Sequence, residues 1–485
     1  MPGVIVTAGA VAGPSAPTSA PSGTYFVTGQ AERGSVTAAQ LVTNLAEFVT
    51  HFGGAVTYGA LYDDVAMYFE EGGSRAYVTR VVGAAATTGA LAAPLDDQAG
   101  TPVTTLSVAA SSPGAWSSAI SVSVLDGAGA DTFRIKVFRS AVLVEDFVNL
   151  HSPAEAVSKI NARSAYIRLT NLASVTAAPN NNPAVVGPLT LTAGTDDRGA
   201  IVAATYVAAL ARFTADLGDG AVAIPRIGST VHAGLTIHAN AFNRIALLTA
   251  AQAVDKATLI AAAEAANAQR AGLFTPWVRV PDGFGGTKAI SSEGFVAAAR
   301  AKAHQLSGPW RAAAGEISKS VYVVAPDVVL SSADMTELDE NAVNVIRTIA
   351  STVRLYGWKS TSSDVENWAY LIGADTVNRV VVEATKRLEQ YVFGVIDSSG
   401  HMLTAVHGTL VGIVLPMASA GGLFASYDID GNQVDPGYAV RTDSSINTVE
   451  NLALNTVLAE VTIRVVPTAA LVLLTVTKAA VTAAL

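Results

Sequence analysis

Ala221-Val222-Ala223-Ile224 and Arg244-Ile245-Ala246-Leu247-Leu248-Thr249 are two short runs, the first apolar throughout and the second apolar from Ile245 to Leu248, separated and flanked by Ala-rich chain of helical length. Runs of this kind read as strands buried on both faces. The segments Ile201 to Leu217, Gly234 to Asn243 and Lys256 to Ala271 read as helices, and Thr275 to Val280 as the next strand. This alternation is the rhythm of a sheet with helices on its faces, and it sets the class as α/β.

The same plan recurs toward the N-terminus. Tyr25-Phe26-Val27 reads as a buried strand. Ala38 to Phe52 reads as a helix, with Leu41, Leu45, Phe48 and Phe52 at helical spacing before Gly53-Gly54. Leu61 to Glu71 repeats it, burying Val65, Tyr68 and Phe69, and Ala76 to Val82 follows as a strand. The Gly72-Gly73 pair sits after a helix, whereas a dinucleotide loop sits before one, so it reads as a C-cap. Between these α/β pieces the composition shifts near Gly83 to Ala/Thr/Gly spacing. Short runs follow at Thr104 to Ser107, Ile120 to Leu125, Phe133 to Phe138 and Val142 to Phe147, punctuated by Pro113-Gly114 and Asp126-Gly127. This reads as an inserted, mainly β region ending near Thr195.

From Ser331 the pattern changes again. Leu338, Ala342, Val345, Ile346, Ile349 and Val353 trace one helical face, Trp368 to Ile372 reads as a strand, and Thr376 to Phe393 as a long amphipathic helix. The expected architecture is multidomain, α/β with α+β. A discontinuous α/β domain (24–95 and 196–330) surrounds an inserted β-rich domain (96–195), and a C-terminal α+β domain spans 331–467.

The two ends are unusual. Val4 to Thr7 reads as a short strand tethered by Gly13 to Gly23, a Pro/Ser/Ala tract that is extended and hinge-like. At the other end Val461, Ile463 and Val465 alternate with polar residues, Pro467 interrupts, and Leu471-Val472-Leu473-Leu474-Thr475-Val476 is apolar on both faces. That last run is either an internal strand or one donated to a neighbouring copy by β-augmentation.

At 485 residues the chain exceeds one ordinary core. Half the residues are apolar and only 14% are charged, which is little for a monomer's surface and points to burial between subunits. The formal charge of −9, with no basic cluster, argues against direct nucleic-acid binding. Cysteine is absent, which removes disulfides, thiol nucleophiles and Cys-based metal sites. No Lys or Arg precedes Val4 to Ala10, so no export signal is expected. Gly408 to Ala425 is interrupted by Pro416 and Gly421-Gly422, so it reads as a buried helix and no membrane insertion is expected.

No catalytic, cofactor-binding or metal-ligating constellation emerges. There is no His-Glu-x-x-His, no Gly-x-Ser-x-Gly, and no Gly-x4-Gly-Lys-Ser/Thr loop; Gly283 to Lys288 has the wrong spacing and reads as a turn. His232 and His238 lack neighbouring carboxylates and read as ordinary histidines. Asp428, Asp430, Asn432 and Asp435 match a calcium loop in composition only, because Gly431 falls inside the ligand run; a hairpin turn fits better. A Ser/His/Asp site assembled only in the fold stays open.

Taken in order, Pro2 to Val6, Leu41 to Phe48 with Phe52-Gly53-Gly54, Tyr77 to Val81, Ser112 to Trp116, Ala193 to Asp196, Asn243 to Leu248, Pro276-Trp277-Val278, Gly308-Pro309-Trp310 and Arg354 to Thr361 resemble the tail sheath proteins of contractile bacteriophages and related injection machines. The resemblance implies a non-enzymatic subunit that polymerises helically around an inner tail tube and contracts without nucleotide hydrolysis. Its partners would be many copies of itself, the tube protein, and baseplate and tail terminator proteins; its place would be the tail sheath of a virion, assembled in the host cytoplasm.

Strand exchange would use Val4, Ile5, Val6 and Thr7 of the 1–23 arm, and Leu471, Val472, Leu473, Leu474, Thr475 and Val476 of the 468–485 arm. Such contacts are heterologous and do not close, so they generate a helix. Where many sheaths carry paired arginines this chain has Asp375-Thr376-Val377-Asn378-Arg379, so the contact the family makes through that pair does not carry over. Candidates for touching the tube are the charged residues Arg379, Lys386 and Arg387 of the Thr376 to Phe393 helix. A headless injection system is an alternative within the class; a surface-lattice protein or a secreted α/β hydrolase are alternatives outside it.

Overall fold

The computed structural model describes residues 22–470. The chain enters through β1 (Tyr25–Gly29), β2 (Gln40–Val42), α1 (Leu45–Phe52), α2 (Leu61–Glu70) and β3 (Ala76–Arg80). Tyr25 and Val27 of β1 enter one core and Phe26 the opposite one, the signature of a central strand covered on both faces. The helix expected from Ala38 begins only at Leu45. Gln40–Val42 instead pair antiparallel with Val78–Ala76, and Asn44 caps α1 by accepting the Glu47 N–H while the Glu47 carboxylate accepts from Thr43 N. These two bonds set the helix start, after Val42-Thr43, β-branched residues that suit an edge strand. Gly72 follows α2 at φ +93°, and Gly73 N–H donates to Tyr68 O, which is the expected C-cap.

The excursion starts near Gly83, ahead of the expected residue 96. Gly83 N–H donates to Asp196 O, and Thr87 bridges Thr195. It contains β4 (Leu95–Asp96), β5 (Thr104–Ala110), β6 (Ile120–Asp126), β7 (Phe133–Arg139), β8 (Val142–Leu150), α3 (Pro153–Arg163), β9 (Ile167–Asn171) and β10 (Val186–Thr190). Two antiparallel sheets form, in the orders β10-β6-β7-β8 and β4-β5-β9. Ile120, Val122 and Val124 of β6 meet Ile135 and Val137 of β7, Leu106 and Val108 of β5, and Ala156 and Ile160 of α3 in a core of their own. Helix α3 has no counterpart in the sequence reading, although Ser152 caps it by accepting Glu155 N–H and Pro153 opens its first turn.

On its return the chain forms α4 (Ala203–Ala209), β11 (Ala221–Ala223), α5 (His232–Phe242), β12 (Ile245–Thr249), α6 (Lys256–Ala266), β13 (Ala271–Thr275), β14 (Val278–Pro281), β15 (Thr287–Ile290), α7 (Glu293–Leu306), β16 (Ala325–Pro326), α8 (Ser332–Glu340), β17 (Val343–Ile349) and β18 (Thr352–Leu355). One eight-stranded sheet runs β18-β17-β13-β12-β11-β1-β3-β2. Its six inner strands are parallel, and β2 and β18 close the edges antiparallel. Two expectations fail here. The strand after α6 is Ala271–Thr275, parallel to β12, so the expected helix ends five residues early, at Ala266. The helix expected across Leu338 to Val353 is α8 followed by the β17–β18 hairpin. Val343 and Val345 face one core and Ile346 the other, so the apolar residues had period two, and β-branched residues favour the sheet. A boundary at 331 therefore cuts across this sheet.

The last part comprises α9 (Val365–Trp368), α10 (Leu371–Leu388), α11 (His401–Ser419), β19 (Ser426–Tyr427), β20 (Gln433–Asp435), β21 (Tyr438–Arg441), α12 (Val449–Ala453) and β22 (Glu460–Ile463). The strand expected at Trp368 to Ile372 is the junction of two helices, with only Tyr370 bridging Lys359. The α10 helix joins two cores: Leu371, Ile372 and Ala374 pack beneath the large sheet, while Val380, Ala384 and Leu388 pack against α11. The α11 helix is not buried all round. Its stripe of Val406, Leu410, Ile413, Val414 and Met417 is covered and Leu415 is exposed, so a helix with the length and hydropathy of a membrane span is 28% buried within the chain. Asp428 accepts from the Asp430 and Asn432 N–H groups, closing the β19–β20 hairpin turn.

Candidate assembly site

The sequence-predicted exchange residues Val4, Ile5, Val6, Thr7, Leu471, Val472, Leu473, Leu474, Thr475 and Val476 lie outside the described residues. What the structure describes is where the two arms leave the body. At the N-terminal root, Ser22 O accepts from Arg300 Nη1 at 2.6 Å, and Ser22 Oγ meets His304 Nδ1 at 3.0 Å. Gly23 O accepts from Tyr68 Oη at 3.1 Å. Arg300 also donates from Nε (3.0 Å) and Nη2 (2.6 Å) to Asp375 Oδ1 on α10, and His304 Nε2 lies 3.6 Å from Asp375 Oδ2. The Arg300, His304 and Asp375 side chains are all at most 2% exposed. Burial alone pushes the Asp375 carboxyl up, but Arg300 and His304 outweigh it and hold it below its ordinary range; burial and Arg300 push His304 down.

Ser22, His304 and Asp375 stand in the order of a nucleophilic triad, and the geometry argues against that chemistry. The His304–Asp375 separation exceeds hydrogen-bond length, Asp375 is neutralised by Arg300, and the serine's own carbonyl is bound by that same arginine. The second buried carboxyl cluster is enclosed by the core. Tyr25 Oη donates to Asp64 at 2.7 Å, and Glu293 accepts from Thr249 Oγ1. Burial, with each carboxyl near the other, pushes Asp64 well above its ordinary value, and burial pushes Glu293 up. His232 and His238 face Thr249 O and Arg244 rather than each other. Among the described residues no group of three or more metal-ligating side chains comes together.

At the C-terminal root, β21 and β22 pair only with each other, Tyr438 opposite Ile463 through Arg441 opposite Glu460. Each strand thus has an outer edge unpaired among the described residues. Their inward side chains, Tyr438, Val440, Val461 and Ile463, rest on the α10–α11 core, and Leu423 bridges Val465 just before the arm departs. Large apolar side chains stand exposed in this region, including Phe393, Val395, Tyr427, Ile429, Val434 and Leu454.

The α10 candidates divide. Arg379 is mostly buried, paired to Asp219 at 3.2 Å and Glu383 at 3.1 Å. Arg387 is half-exposed and reaches Glu383 at 3.4 Å. Lys386 is half-exposed on the same helix. Asp375 and Arg300 escaped sequence reasoning, although a charged residue inside the Ala-rich Val296–Ala303 run was the available signal.

The pair of motifs at Ser112–Trp116 and Ala193–Asp196 acquires a physical role at the seam between excursion and sheet. Arg80 of β3, with its side chain 1% exposed, pairs with Asp196 and donates to Ala31 O (2.9 Å), Glu32 O (3.1 Å) and Pro113 O (2.8 Å). Trp116 Nε1 donates to the same Pro113 O, and Arg33 lies 4.7 Å from the Tyr166 ring. A Cβ on Gly194 would stand 2.2 Å from Thr87 O, so the close approach requires glycine.

Together the eight-stranded sheet, the β excursion and the terminal helix–hairpin unit are the fold of contractile sheath proteins. The sheath tail protein of Listeria innocua matches with a TM-score of 0.61 and 12% identity over 88% of this chain and 90% of its own. The anti-feeding prophage helical sheath in its contracted state matches at 0.55 and 15% identity, over 99% of both chains. The contracted sheath complex of an extracellular contractile injection system, PVC, matches at 0.55 and 13%, over 98% of this chain and 99% of its own. No protein-family model and no curated protein sequence matches the chain.

Proposed function

We propose that this chain is the structural, non-catalytic subunit of a contractile tail sheath, in a phage tail or a headless injection system. It polymerises helically around an inner tube and shortens to drive that tube through an envelope. The observation that carries this reading is the two-stranded β21–β22 sheet. Among the described residues it has two open edges, it stands at the root of the C-terminal arm, and the sequence at the other end of the chain reads as an apolar run after which a Pro/Ser tract follows. Val4 to Thr7 of one neighbour and Leu471 to Val476 of another add to those edges, with main-chain hydrogen bonds supplying the affinity. Heterologous pairing of this kind does not close and propagates a helix.

In this reading the body is the discontinuous α/β unit, the β excursion faces outward, and the α10–α11 unit faces the tube. Lys386 and Arg387 are its tube-side cations. Arg379 is a weaker candidate, because Asp219 and Glu383 already hold it. Baseplate and terminator proteins would meet the first and last rings. The test is truncation: a chain ending at Pro467 should be folded, soluble and unable to polymerise, and tubes formed by that chain would overturn strand donation.

A further inference from the structure

We propose that Arg300, held by Asp375 and backed by His304, is a positioning clamp for the N-terminal arm: it fixes where and in which direction the arm leaves the body, and hence the register in which subunits join. This rests on the strand-exchange reading above and adds to it a device inside the donor.

The arm's last two residues before β1 are not in a sheet, yet side chains bind both of their carbonyls. Arg300 Nη1 binds Ser22 O at 2.6 Å and Tyr68 Oη binds Gly23 O at 3.1 Å. A linker that only needed freedom would leave these groups to water. A Cβ on Gly23 would stand 3.1 Å from Ala301 Cα, so the root lies directly against the backbone of α7. Arg300 spends its fork on two targets at once: Nε and Nη2 on Asp375, Nη1 on Ser22. A buried Arg–Asp pair is weak evidence for stability in itself, because a well-packed apolar pair often replaces it without loss. Its third contact, to a residue 278 positions away, is what an apolar pair cannot supply. Asp375 belongs to α10, which also enters the core beneath β21–β22. One side-chain cluster therefore ties the root of the donated strand to the helix that carries the acceptor sheet. A fixed root raises the effective concentration of a tethered segment at its neighbour's edge, because the tether starts at a defined point.

The test uses the full chain. Arg300→Lys keeps the charge opposite Asp375 but offers one ammonium in place of a planar fork. It should melt close to wild type, while amide exchange in a peptide covering residues 22–26 rises about tenfold, the loss of one charge-assisted hydrogen bond. Exchange in α7 and α10 should stay unchanged, and tubes should form more slowly with blurred helical layer lines. Ser22→Ala removes only the His304 contact at a half-buried position; it should raise the same exchange about threefold and carries the test should Arg300→Lys not fold. Wild-type exchange and wild-type tubes in a folded Arg300→Lys or Ser22→Ala chain would overturn the clamp. Deleting residues 1–21 tests the premise separately. Ordered tubes from that chain would reject arm donation whatever Arg300 does, whereas a non-polymerising deletion beside unaffected point variants would reject the clamp alone.

Discussion

Replacing Asp196 by Ala should detach the β excursion from the large sheet before the sheet itself yields. Among the described residues Asp196 is the one carboxylate paired with the Arg80 guanidinium, whose side chain is 1% exposed. Breaking a buried pair by removing one partner costs about 3–5 kcal/mol. Three carbonyls, on Ala31, Glu32 and Pro113, still accept from Arg80, which lowers the expected loss to about 2–4 kcal/mol. Arg80→Met should cost more, about 3–5 kcal/mol, because it leaves the buried Asp196 carboxylate only Arg198 at 3.9 Å and takes the guanidinium from the Ala31 and Glu32 carbonyls, while Trp116 still serves Pro113 O. The double variant should recover about 1–3 kcal/mol relative to the sum. Urea unfolding gives the free energies, and amide exchange separates the units: protection in β6 and β7 should fall first, with β12 and β13 unchanged. An Asp196→Ala chain within about 0.5 kcal/mol of wild type, or equal loss of protection in both sheets, would refute the reasoning.

Glu71 is a second internal clamp. Its buried carboxylate accepts from the N–H groups of Val321 (3.1 Å), Tyr322 (2.9 Å) and Val323 (3.1 Å) and from Ser320 Oγ, with Lys302 at 3.3 Å. Glu71→Ala should cost about 3–5 kcal/mol by denaturant unfolding and release exchange protection at 320–323. His238 gives a pH signature. Burial first, then the Arg244 charge, holds it at about 4, below its ordinary 6.5, so the folded chain binds fewer protons than the unfolded one between those values. Its contribution to stability is complete above pH 6.5 and is lost as pH falls toward 4. At pH 5 the loss should be about 1–2 kcal/mol, and a His238→Asn variant compared at each pH should lack that slope. The raised carboxyls Asp64 and Glu293 act in the opposite sense in both chains, so they cancel in the difference.

The central strands were legible because their side chains alternate between two dry cores: Tyr25, Val27 and Phe26 already carry that message. The Leu338 to Val353 stretch was misread because its apolar residues satisfy both periodicities over a short window; pairing of Val343–Val345 with β13 decides for strand. Ala271 to Thr275 was absorbed into the preceding helix because alanine carries no period. The two arms are readings of composition alone, from a Pro/Ser tract and a doubly apolar end, and both lie outside the described residues. The clamp was not legible: Arg300, Asp375 and Ser22 are far apart in sequence, and only the packing of α7 against α10 brings them together. The same holds for Arg80 and Asp196, whose motifs are recognisable separately while their contact is a property of the fold.

The most direct measurement is electron microscopy of the full-length protein, purified alone and concentrated at neutral pH. The account predicts striated tubes whose reconstruction shows β21–β22 extended by one strand from each of two neighbouring subunits. Monodisperse monomers, planar lattices, or tubes in which both edges of β21–β22 remain unpaired would contradict it.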